Sequence, residues 1–100
     1  MMNRHEAGEG LRRCGFRYWR GGQWFFKFME NRKTVTVLAE LKFHPTKDML
    51  ICAYVRCKEL KDKNYVNELH YAKKVSEQLC GISVYTDGIS ATQWVNGLQY

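Results

Sequence analysis

A chain of 100 residues with 45% hydrophobic and 14% aromatic side chains can form one domain with its own core, without disulfides or a structural metal. The formal net charge is +6, and residues 1–33 supply five of these charges, with eight Arg and Lys against three Glu. A basic excess in one part of the chain favours a polyanionic partner. The partner classes we expect are therefore nucleic acid, RNA or DNA, and an acidic protein surface.

No apolar run approaches the roughly 20 residues of a membrane-spanning helix, and the first residues contain no apolar signal-peptide segment. We therefore expect a cytoplasmic protein with no membrane partner. In a reducing compartment the four cysteines are expected to be thiols.

Residues 1–14 are expected to be a basic arm, either flexible or a short helix. Gly8 and Gly10 favour the flexible form, whereas Leu11 and Cys14 would face inward on a helix that starts near Glu6. Residues 15–100 are expected to form a single α+β domain.

Residues 16–20 and 23–29 are rich in aromatic side chains and are separated by Gly21 and Gly22, a pair typical of a two-residue β-hairpin turn. Residues 34–43 and 49–57 alternate apolar and polar side chains, as half-buried strands do. Short connections between the four strands predict an antiparallel meander.

A long helix is predicted over about 64–80, where apolar residues recur every three or four positions and Gly81 follows as a stop signal. The apolar stripe consists of Val66, Leu69, Ala72, Val75 and Leu79. Residues 82–85 predict a short strand. A capping box that starts at Ser90 predicts a short C-terminal helix, although the Asp87–Gly88 pair leaves a hairpin as the alternative. The predicted fold class is α+β, a four-stranded antiparallel meander with the long helix packed on one face.

A tight turn at Gly21–Gly22 would place Trp19 opposite Trp24 and Tyr18 opposite Phe25. Side chains opposite each other share a face of the sheet, so this register predicts one core face and one outer face. The predicted core face carries Arg17, Trp19, Trp24, Phe26 and Phe28. The predicted outer face carries Phe16, Tyr18, Arg20, Gln23, Phe25 and Lys27.

Rings and cations together suit single-stranded nucleic acid, since rings stack on bases while cations pair with phosphates. The residues we predict to bind nucleic acid or an acidic partner are Arg17, Tyr18, Arg20, Phe25, Lys27, Lys42, Tyr54 and Arg56. The function predicted from them is a small binding module, regulatory or inhibitory by analogy with other short accessory proteins. The alternative use of the same rings is protein–protein interaction in an oligomerising subunit, such as a homodimer.

The segment from Leu38 to Lys42, Leu-Ala-Glu-Leu-Lys, places Glu40 and Lys42 on one side of a strand. This pair resembles the metal-ligand glutamate and the lysine of the restriction-endonuclease-like nuclease superfamily. The resemblance implies that Glu40 would link Mg²⁺ to the scissile phosphate and that Lys42 would stabilise charge. That superfamily also has an upstream aspartate, whereas no aspartate precedes Asp48 here. A minimal metal-dependent nuclease is therefore an alternative function.

No cysteine or histidine spacing typical of a metal site occurs, and no glycine motif indicates a nucleotide cofactor. We therefore assign no catalytic residue, no metal ligand and no cofactor. This pattern favours a binding protein over an enzyme without deciding between them.

Overall fold

The computed structural model describes residues 2–58 and 65–86. The elements are α1 (Arg4–Arg13), β1 (Arg17–Arg20), β2 (Gln23–Glu30), β3 (Lys33–Phe43), β4 (Leu50–Lys58), α2 (Tyr65–Gln78) and β5 (Val84–Tyr85). They form a five-stranded sheet in the order β1-β2-β3-β4-β5. The α+β class with a mostly antiparallel sheet is confirmed.

The number of strands differs from the prediction because β5 joins the sheet. The pairs β1–β2, β2–β3 and β3–β4 are antiparallel, whereas β5 pairs in parallel with β4, with Ala53 opposite Val84 and Tyr54 opposite Tyr85. The intervening α2 provides the crossover that a parallel pair requires. The predicted C-terminal helix falls at residues outside the described part of the chain.

Both helices pack on the same face of the sheet, which we call the first face. Its core contains Ala7 and Leu11 from α1, and Ala72 and Val75 from α2, all buried. Phe16, just before β1, joins this core, and the strands contribute Trp24, Val35, Val37, Ala39, Leu41, Leu50, Ala53, Val55 and Cys57. Leu69, a predicted member of the α2 stripe, is 61% exposed, so among the described side chains of α2 the buried stripe starts at Ala72.

The N-terminal segment, which the sequence left open between an arm and a helix, forms α1. A capping box starts it: the Glu6 N–H donates to Asn3 Oδ1 over 2.9 Å, and the Asn3 N–H donates to Glu6 Oε1 over 3.0 Å. Gly10 faces the end of α2, where an added Cβ would lie 2.9 Å from the Gln78 carbonyl oxygen. The glycine that suggested flexibility instead allows two helices to approach closely.

The register of the first hairpin differs from the prediction by a β-bulge at Trp19. Arg20 pairs with Gln23 as predicted, but Tyr18 lies opposite Trp24, and Arg17 lies opposite Phe25. An extra residue in one strand moves every residue before it to the other face.

The bulge places Phe16 in the core instead of Arg17. Phe16 is 2% exposed and its ring lies 4.9 Å from that of Phe26, whereas Arg17 is exposed. Burying a phenylalanine is favourable, and burying an unpaired guanidinium is costly. The predicted faces of Phe16, Arg17, Tyr18 and Trp19 were therefore wrong.

Candidate binding surface and cleft

The face of the sheet opposite α1 and α2, which we call the second face, is buried at its centre. Thr36, Leu38 and Glu40 of β3 are 7%, 6% and 5% exposed. This part of β3 is therefore closed to solvent. Exposure is greatest at the β1 edge of the sheet, where all four residues of β1 are exposed.

A basic and aromatic surface lies at this edge. Arg17 is directly opposite Phe25, and Lys27 follows two residues later on the same face. The Arg20 guanidinium lies 4.4 Å from the centre of the Trp19 ring, and its Nε donates to Gln23 Oε1 over 3.3 Å. We call Arg17, Trp19, Arg20, Phe25 and Lys27 the basic aromatic edge.

The charges of this edge are available for a partner. Within the described residues, Arg17 and Lys27 make no ion pair, and Arg20 contacts the neutral side chains of Gln23 and Trp19. Trp19 is 45% exposed beside them, with its ring 6.5 Å from that of Phe25. A partner can approach these cations without first displacing a carboxylate.

The other predicted binding residues lie apart from this edge. Tyr18 is on the first face, where its ring packs edge-on against Trp24 at 5.3 Å. Arg56 lies opposite Leu38 on the second face, and the Tyr54 ring lies 5.3 Å from the Tyr85 ring. Burial raises the pKa of the Tyr54 phenol above its ordinary value.

Glu40 and Lys42, the two residues of the nuclease hypothesis, form an ion pair. Lys42 Nζ lies 2.8 Å from Glu40 Oε1, and the Glu40 side chain is 7% exposed while that of Lys42 is 44% exposed. Across the described residues, no group of three or more His, Cys, Asp or Glu side chains is arranged to hold a metal ion. The two side chains thus form a charge pair at the end of β3.

The thiols of Cys14 and Cys57 are unsuited to nucleophilic chemistry. Burial, followed by the nearby Glu68 carboxylate, raises the pKa of Cys57 to about 12. Burial also raises the pKa of Cys14. Because the thiolate is the reactive form, a raised pKa makes a cysteine less reactive.

A cleft of about 610 Å³ opens at the end of the sheet, beside the turn of the first hairpin. Its walls include Arg4 from α1, Tyr18 and Trp24 from the hairpin, and Lys42 and Phe43 from the end of β3. These residues are distant in the sequence, so neither spacing nor composition indicated the cleft.

Gly21 and Gly22 form one side of this cleft because the turn lies directly against β3. The Leu41 N–H donates to the Gly22 carbonyl oxygen over 2.8 Å. An added Cβ on Gly22 would lie 2.5 Å from the Leu41 carbonyl oxygen, closer than any side chain is tolerated. Gly22 is therefore required by this close contact, while Gly21 provides the positive φ of the turn.

Trp24 is a buried, tightly packed residue in the lining of the cleft. It is 6% exposed, the Arg12 guanidinium lies 5.0 Å from its ring centre, and an added Cβ on Gly8 would lie 3.2 Å from the ring. Tyr18, whose ring makes a T-shaped contact with that of Trp24, also lines the cleft and is 54% exposed. The cleft thus has a fixed aromatic wall and an accessible aromatic rim.

Comparison of the chain with protein-family models, curated proteins and solved structures finds no match. Neither helix of the described part is long and apolar enough to cross a membrane. Function therefore has to be inferred from the chemistry of the surface itself.

Proposed function

We propose that the protein is a small nucleic-acid-binding module that holds a single strand along the basic aromatic edge. The observation that carries the proposal is the position of Arg17, Arg20 and Lys27 on the same side of the first hairpin as the exposed Trp19 ring. We also expect the protein to act in the cytoplasm, where its thiols would stay reduced.

The rings and cations of the basic aromatic edge match the bases and phosphates of a single strand. Exposed rings stack on unpaired bases, and a stacked base is worth about 1–3 kcal/mol. Cations that neutralise phosphates release condensed counterions, which drives binding at low salt. The concentration of net charge in residues 1–33 supports the same partner, since this segment contains the whole edge.

Side-chain contacts are favoured over the addition of a partner strand to β1. This strand has only four residues, its pairing is interrupted at Trp19, and arginines stand at both ends. Short, bulged and charged edges resist backbone pairing with another chain. An extended peptide is thus a poorer fit than a strand of nucleotides, whose bases and phosphates are recognised by side chains.

Fluorescence anisotropy with labelled single-stranded and double-stranded RNA and DNA of about one dozen nucleotides tests the proposal. We expect tighter binding of the single strands, because a duplex hides its bases from Trp19. Trp19→Ala should weaken single-strand binding by about 5- to 150-fold, the loss of one stacked base. Tyr85→Ala is the matched control, since Tyr85 is 41% exposed at the other edge of the sheet.

The same measurements distinguish the alternatives. Failure of every nucleic acid to bind at low salt would show that the proposal is wrong and would leave the acidic protein surface as the partner. Mg²⁺-dependent cleavage that is lost in Glu40→Ala would instead establish the nuclease. A dimer mass that Trp19→Ala abolishes in a folded protein would establish the oligomerising subunit.

A further inference from the structure

The cleft beside the hairpin turn has the size and chemistry of a small-ligand site. Its volume of about 610 Å³ falls within the range of about 300–1,000 Å³ typical of ligand pockets. Aromatic side chains and cations line it together, with Tyr18 and Phe43 as two of the rings and Arg4 and Lys42 as cations. This combination suits a ligand that has a planar ring and an anionic group.

The two cations can receive an anion without losing their present contacts. Arg4 lies 4.5 Å from the centre of the Phe43 ring and 3.6 Å, through one terminal nitrogen, from the Asp48 carboxylate. Lys42 Nζ lies 2.8 Å from Glu40 Oε1. A guanidinium has five N–H donors and an ammonium has three, so both Arg4 and Lys42 keep donors for a ligand beside these ion pairs. Glu40 is the one carboxylate that lines the described cleft, which leaves the lining with a net positive charge of one from its Arg, Lys and Glu side chains.

The aromatic rim can receive the planar part of the ligand. The Tyr18 ring is 54% exposed, and its contact with Trp24 is edge-on, with an interplanar angle of 77°. An edge-on contact leaves a Tyr18 face available for stacking. Trp24 and the Gly22–Leu41 contact hold the surroundings of this ring in place.

We propose that this cleft binds a nucleoside monophosphate unit, with its phosphate at Arg4 and Lys42 and its base against Tyr18. The inference rests on the proposed function in one respect: the unit would be the terminal nucleotide of a strand that lies along the basic aromatic edge. The Gly21–Gly22 turn follows directly after Arg20, so the cleft and the edge are adjacent parts of one hairpin.

Titration of ¹⁵N-labelled protein with AMP, adenosine or inorganic phosphate tests the site directly. We expect AMP to shift the amide signals of Tyr18, Gly21 and Gly22, and adenosine and phosphate each to bind at least about tenfold more weakly, since each lacks half of the contacts. Shifts confined to other regions, or equal affinity for adenosine and AMP, would overturn the site.

Two variants in α1 test whether Arg4 contacts the phosphate of AMP. Arg4→Ala should weaken AMP binding by about tenfold, whereas Arg13→Ala, at the opposite end of α1, should leave it unchanged. Equal effects of the two variants would show that only net charge matters and would overturn the assignment.

A gain of affinity provides a second test that unfolding cannot imitate. The Asp48 carboxylate partly neutralises the Arg4 guanidinium, and it also accepts the Arg4 backbone N–H over 2.9 Å. Asp48→Asn keeps an acceptor and removes this neighbouring negative charge, so AMP should bind about two- to fivefold more tightly. Unchanged or weaker binding would contradict a phosphate at Arg4.

Oligonucleotides separate this inference from the proposed function. A 5′- or 3′-terminal phosphate on a single strand should strengthen binding, and Arg4→Ala should remove that advantage. Strands that bind with no AMP shift in the cleft would leave the proposed function standing and overturn this site. AMP binding in the cleft with no binding of strands would establish the small-ligand site and overturn the proposed function.

Discussion

The triple variant Arg17→Ala, Arg20→Ala and Lys27→Ala removes the three cations of the basic aromatic edge in one step. All three side chains are exposed. Arg17 and Lys27 make no ion pair within residues 2–58 and 65–86, and Arg20 contacts Gln23 and Trp19. Exposed substitutions of this kind change stability by about 0.5 kcal/mol or less each. We therefore expect a folded protein with altered binding.

The expected change in the salt dependence of binding follows from counterion release. Each phosphate contact on a single strand contributes about 0.7 to the slope of log affinity against log salt, so three lost contacts reduce the slope by about 2. Between about 50 and about 200 mM salt, that slope corresponds to roughly a 20-fold change in affinity. The wild-type protein should lose this much more affinity over the interval than the triple variant does.

The assay is the anisotropy titration of a labelled single strand, repeated over a salt series. A matched control, Lys47→Ala, Lys73→Ala and Lys74→Ala, removes the same number of exposed cations from the β3–β4 connection and α2. Both variants have a formal net charge of +3, obtained by subtracting three from the wild-type +6. Far-ultraviolet circular dichroism is used to check that each variant is folded.

The control determines what a positive result means. Only the edge variant should show the reduced salt slope, because only its cations are expected to touch phosphates. If both variants reduce the slope equally, long-range attraction by net charge explains binding, and the contact surface proposed for β1 and β2 is refuted.

Three further predictions concern stability and titration. Glu68→Ala should reduce the free energy of unfolding, measured by urea denaturation, by about 1–3 kcal/mol. The reason is that the Cys57 N–H, which donates to Glu68 Oε1 over 2.9 Å, loses its acceptor. Glu68→Gln keeps an acceptor and should retain most of the wild-type stability. Gly22→Ala should lower the free energy of unfolding by about 1–3 kcal/mol, because the added Cβ would meet the Leu41 carbonyl oxygen. Gly21→Asn should lower it by less than about 1 kcal/mol, because an added Cβ at Gly21 meets no atom and asparagine tolerates a positive φ. Equal melting temperatures of the two variants would contradict the Gly22–Leu41 contact. The Cys57 pKa is raised from 9.0 to about 12 in the folded protein, so the unfolded chain loses the thiol proton at a lower pH. The free energy of unfolding should therefore fall as the pH rises from 9 towards 12. Cys57→Ala should make this decline shallower, and an unchanged decline would show that other groups cause it.

Local signals in the sequence predicted much of the sheet. The Gly21–Gly22 pair marks the turn between β1 and β2, and the two-residue alternation of residues 34–43 and 49–57 marks β3 and β4. The three- and four-residue spacing of Ala72, Val75 and Leu79 marks the buried side of α2 and of the turn that follows it. These features depend on φ preferences and on periodicity, which neighbouring residues determine among themselves.

The candidate site was predicted only in part. Arg20, Phe25 and Lys27 lie on the second face as predicted, but Tyr18 does not, because one bulged residue reverses the faces of β1. The bulge allows Phe16, rather than Arg17, to enter the core. The alternation of residues within the hairpin does not show where such a bulge falls.

The sequence by itself determined the composition of the surface: a basic N-terminal third, an aromatic hairpin and a meander of alternating strands. Only the tertiary structure decided which rings enter the core, that the centre of the second face is buried, and that Arg4, Tyr18 and Lys42 line one cleft. The physical reason is that burial is a property of the whole fold. A side chain is buried or exposed according to what distant segments place beside it, and those segments are joined only when the chain folds.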